Sequence, residues 1–64
     1  MDAINLVNEM ITKTEKEIEN LDTVRNHLLD SQEYELVRAT KEKINRYRRD
    51  IKLLNRVIEI INKN

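Results

Sequence analysis

The residues able to do chemistry in this 64-residue chain are few: one histidine, His27, one serine, Ser31, and a row of carboxylates at Glu15, Glu19 and Asp22. There is no thiol, no glycine-rich stretch to cradle a phosphate and no Cys/His spacing of the zinc type. The three carboxylates fall at i, i+4 and i+7, on one face of a helix, where such a row could hold a divalent cation. Lys13 and Lys16 lie close enough to neutralise it, and a solvated acidic face is the plainer account. A di-metal bundle site needs Glu-x-x-His, which does not occur. No catalytic residue, cofactor or metal is therefore expected, and the chain is not expected to be an enzyme.

The elements that carry these residues announce themselves by spacing. Val37, Thr40, Ile44, Tyr47, Ile51, Leu54, Ile58 and Ile61 recur at alternating steps of three and four. So do Ile4, Val7, Ile11, Thr14, Ile18, Leu21, Arg25 and Leu28. Each set is a heptad seam on one helix. Glycine and proline are absent and 38% of residues are charged, which favours uninterrupted helix over sheet or disulfide scaffold. Continuing the first seam would need core residues at 32, 35 and 39, but Gln32, Glu33 and Glu35 stand in the gap and the apolar phase restarts at Val37.

The break predicts an all-α antiparallel two-helix hairpin, helices about 2–29 and 31–62, in a single domain over 1–64. Asp30 is expected to cap the second helix with Glu33 answering in a capping box, Ser31 being the alternative cap. Without glycine, the turn must use ordinary backbone regions or place Asp30 in the left-handed region. Folding about the 32/33 junction pairs positions whose numbers sum to 65, and every seam residue then meets a seam partner: Ile4 with Ile61, Leu21 with Ile44, Arg25 with Thr40. The same register brings Glu15 near Arg48 and Asp22 near Lys41, opposite charges at flanking positions. The rival is one continuous helix of about 96 Å at 1.5 Å per residue, dimerising in parallel.

Some seam residues are polar. Arg25 needs a partner, Asp22 or Asp30, or else specifies register with Thr40 opposite. Thr14 would mark a polar layer, Tyr47 fills core with its hydroxyl in water, and His27 suits a helix C-terminus, within reach of Asp30.

Zero net charge hides two unlike halves. Residues 1–35 carry nine acids and three bases, and residues 36–64 carry nine bases and three acids, so −6 faces +6. Arg38, Arg49, Lys52 and Arg56 fall on the outer face of the second helix, a stripe able to follow a phosphate backbone. Tyr34 and Tyr47 are the only aromatics, which leaves base stacking unsupported.

The apolar face widens at one end. Ala3, Leu6 and Met10 on the first helix and Leu53, Val57 and Ile60 on the second are all c or g positions, on the same flank of the hairpin at its open end. Val24, Leu36 and Ala39 repeat this on a smaller scale near the turn, separated from the first group by Lys13, Glu17, Lys43, Arg46 and Asp50. A small core needs disulfides, metal or association, and such a patch is normally covered. Self-association, as a dimer forming a four-helix bundle, is the expectation.

The favoured function is a small non-enzymatic interaction protein, self-associating through that flank and acting as regulator, inhibitor or adaptor of another protein. The alternatives are a dimeric nucleic-acid-binding regulator using the basic stripe and a structural or scaffolding element. The start lacks a signal peptide's basic residues and apolar core, and no run approaches a membrane span, so a cytoplasmic location is expected. Eight Asn, eight Ile and six Lys point to an AT-rich genome, such as that of a low-GC bacterium or its phage, and hence to a phage or mobile-element product.

Overall fold

The computed structural model describes residues 2–63, which form two helices, α1 (Ala3–Asp30) and α2 (Tyr34–Lys63), folded back on each other. Helix α1 starts at Ala3 because Asp2 is extended (φ −81°, ψ 168°) and its carboxylate accepts from the Asn5 amide at 2.8 Å, serving one of the amides a helix start leaves orphaned.

The turn differs from the expected one. Asp30 stays helical and does not cap α2; Ser31 is the C-cap of α1. The left-handed residue is Gln32, at φ 59°. Its amide donates to the Leu29 carbonyl at 3.0 Å, and the Glu33 amide donates to the Leu28 carbonyl at 3.0 Å. This pair of bonds is a Schellman closure, with glutamine where glycine is usual. It uses the amides of Gln32 and Glu33 to finish α1, so α2 begins three residues later than expected. The Val37 amide then donates to the Glu33 carbonyl at 3.1 Å, which puts Glu33 at the N-cap of α2 and rules out its answering Asp30 in a capping box.

Packing follows the seams. Every residue of both seams is buried or half-buried, and Asp22 is the one other described residue that is not exposed. The core proper is small: Val7, Val37 and Ile44 are buried, and Ile44, at 2% exposure, is the fully enclosed side chain. The Cα envelope measures 50 × 17 × 9 Å, so the molecule is a slab one helix thick and not a 96 Å rod.

Thr14, Thr40 and Arg25 find their partners within their own helices. The Thr14 hydroxyl donates to the Met10 carbonyl at 2.8 Å and the Thr40 hydroxyl to the Leu36 carbonyl at 2.7 Å, so neither needs a partner across the seam. Arg25 turns to Asp22, with Nη2 lying 3.3 Å from Oδ1. That oxygen is shielded from solvent yet receives no aligned hydrogen bond, so the contact is a charge pairing without directional bonding. Neither Glu15 with Arg48 nor Asp22 with Lys41 closes to an ion pair, although Glu15, Glu19, Asp22 and Arg48 line one open groove between the helices.

Candidate interaction surface

Two features of the sequence decide where a surface can form. The heptad seam uses up a and d positions, and everything at c or g is then turned to one broad side of the slab. At the open end these positions are Ala3, Leu6 and Met10 on α1 and Leu53, Val57 and Ile60 on α2, and all six are exposed. The five larger side chains keep between 41% (Val57) and 62% (Leu53) of their surface in contact with solvent.

The two helices contribute to one surface there. Met10 and Thr14 of α1 and Asp50, Leu53, Leu54 and Val57 of α2 wall a single open groove. Ile60 sits at its border, since it also lines a depression with Lys52, Asn55, Arg56, Glu59 and Lys63. Near the turn Val24 and Leu36, about half exposed, and Ala39 repeat the apolar character on the same flank. Between the two groups Lys43 extends over the Tyr47 ring, its Nζ 6.0 Å from the centroid, at the outer limit of a cation–π contact.

Arg38, Arg49, Lys52 and Arg56 are all exposed. Lys52 and Arg56 line a depression with Lys63, Arg49 lies one helical turn from Lys52 on the same face, and Arg38 is eleven residues further back along α2. Glu59 lies within the same depression and offsets part of its charge. Tyr47 is half-buried in the seam, and Tyr34, beside the turn, is the exposed aromatic. Among the described residues no cluster of His, Cys, Asp and Glu is placed to hold a metal ion, and no helix is long and apolar enough to cross a membrane.

One apolar pair escaped the spacing argument. Leu29 and Tyr34 are exposed beside the turn, both at e positions and hence on the flank opposite the larger patch. Their heptad letters would have placed them, but they straddle the register break, where the phase of each helix has to be carried past its last seam residue.

Comparison of the chain with protein-family models, curated proteins and solved structures finds no match.

Proposed function

We propose that this chain is a non-enzymatic interaction protein whose hairpins self-associate through the c/g flank, the assembly acting by contact on another protein as regulator, inhibitor or adaptor. The observation that carries this is the exposed group Leu6, Met10, Leu53, Val57 and Ile60 on a slab with one fully enclosed side chain. Burying such a side chain is worth about 1.5–3 kcal/mol. A two-helix core of this length supplies little stability of its own, so covering the flank adds a large share of what holds the fold together.

Leu6→Glu and Val57→Glu test the proposal, because each would bury an unpaired carboxylate at the contact. Sedimentation equilibrium should give the wild type a mass above the 7.7 kDa of one chain and return both variants to it. Asn20→Glu, on the same flank but in its charged middle, should keep the wild-type mass. Equal masses for wild type, Leu6→Glu and Val57→Glu would make the flank bare surface.

A second function, nucleic-acid binding, draws support from the depression that Lys52, Arg56 and Lys63 line together. Arg49→Glu with Arg56→Glu should then abolish binding without loss of helicity, since both residues point away from the seam. Phosphate contacts are strongest at low salt, so a chain that retains no RNA or DNA at about 50 mM salt does not work this way.

A further inference from the structure

We infer that the occupant of the flank is a second copy of this chain, laid open end on open end, so that α1 of each copy covers α2 of the other around a two-fold axis along the slab. This rests on the flank being an interface and specifies both its partner and its geometry. Three observations carry it.

The first is area. A folded monomer of this mass is expected to expose about 4,300 Å², whereas the hairpin exposes 5348 Å². The excess of roughly 1,000 Å² is close to the roughly 800 Å² that each partner loses in a standard interface. One copy of a slab this size covers another without leaving either patch open.

The second is the position of the apolar groups. Superposing like ends sets Leu6 and Met10 of one copy over Leu53, Val57 and Ile60 of the other, and the smaller groups at the turn meet likewise. Reversing one copy would instead lay Leu53 over Lys43 and Arg46, while Met10 would fall beside Val24, Val57 beside Ala39 and Ile60 beside Leu36, so Leu53 is the apolar side chain that reversal sets against charge.

The third is charge. With like ends together, α1 (Ala3–Asp30, net −3) lies over α2 (Tyr34–Lys63, net +5) of the second copy, so unlike charge meets twice. In the middle of the flank this register sets Lys13 beside Leu53 and Asp50 of the second copy and Glu17 midway between Arg46 and Asp50, so the charge preference lies in the helices as wholes. Reversal sets α1 on α1 and α2 on α2, like charge on like, which an interface avoids. Charge therefore selects one of the two ways of stacking the slabs, and Leu53 is the apolar position that agrees with it.

The chain has no cysteine, so Ser31→Cys provides one labelling site, exposed and at the turn. In the proposed dimer two spin labels there lie within about 25 Å, since packed helices are about 8–10 Å apart. In the reversed dimer they lie about 40 Å or more apart, the length of α1 at 1.5 Å per residue. A dimeric mass with the short distance, both lost in Val57→Glu, is the expected result. A dimeric mass with the long distance overturns the stacking while leaving the flank an interface. A short distance that survives Val57→Glu places the contact elsewhere and overturns the inference. A monomeric mass overturns it together with the self-association on which it rests.

Discussion

Met10 of α1 and Leu53 of α2 wall the same open groove, and each keeps more than half of its surface in water. They come together because the seam holds the two helices in the register where position numbers sum to 65, which sets a g position of α1 beside a c position of α2. The groove is thus a product of the hairpin and of neither helix alone. A change that slips the register would scatter these side chains, so the fold and the proposed contact depend on the same seam.

The turn carries a measurable strain. Gln32 occupies the left-handed region, which costs a residue with a Cβ about 1–2 kcal/mol and glycine almost nothing. Gln32→Gly is expected to stabilise the hairpin by about 0.5–1 kcal/mol, the gain being reduced by the greater freedom of glycine in the unfolded chain. A rise of several degrees in the melting temperature is the corresponding reading. A fall would mean that the Gln32 side chain holds the turn by a contact of its own.

The same turn marks the boundary of what spacing can reveal. Both seams were legible because the three-and-four step puts their residues on one stripe, and no glycine or proline interrupts either helix. The c/g flank followed from the seam. The closure did not, because Asp30 and Glu33 are good capping residues by type, while the choice of Gln32 depends on where the Leu28 and Leu29 carbonyls point once α1 is packed. The register does bring Glu15 and Arg48 to one groove, but no ion pair closes: at the exposed Glu15 and Arg48 water competes with the partner, and Asp22 is taken by Arg25 instead of Lys41.

Thr14 and Thr40 return their hydroxyls to their own helices, so neither should specify register or oligomeric state. Thr14→Val and Thr40→Val should leave the solution mass unchanged and raise stability by up to about 1 kcal/mol, because each replaces a half-buried hydroxyl with a methyl of similar size. A change in mass on either substitution would restore the polar-layer role.

Arg25 with Asp22 is a charge pairing at 3.3 Å between partly exposed side chains. A double-mutant cycle with Arg25→Met and Asp22→Asn, read by thermal unfolding, should give a coupling below about 1 kcal/mol. A larger coupling would show that the pair bonds more directionally than its geometry indicates and helps to fix the turn end of the seam.

The most direct test of the flank as an interface is the accessibility of its methyl groups to a neutral paramagnetic cosolute, read by methyl relaxation. If the flank is covered, the methyls of Leu6, Met10, Leu53, Val57 and Ile60 relax as slowly as those of the seam residues Val37 and Ile44. Leu29, on the opposite flank, relaxes fast. If Met10 and Leu53 relax as fast as Leu29 at every protein concentration, the flank stands open in solution and the self-associating hairpin is contradicted.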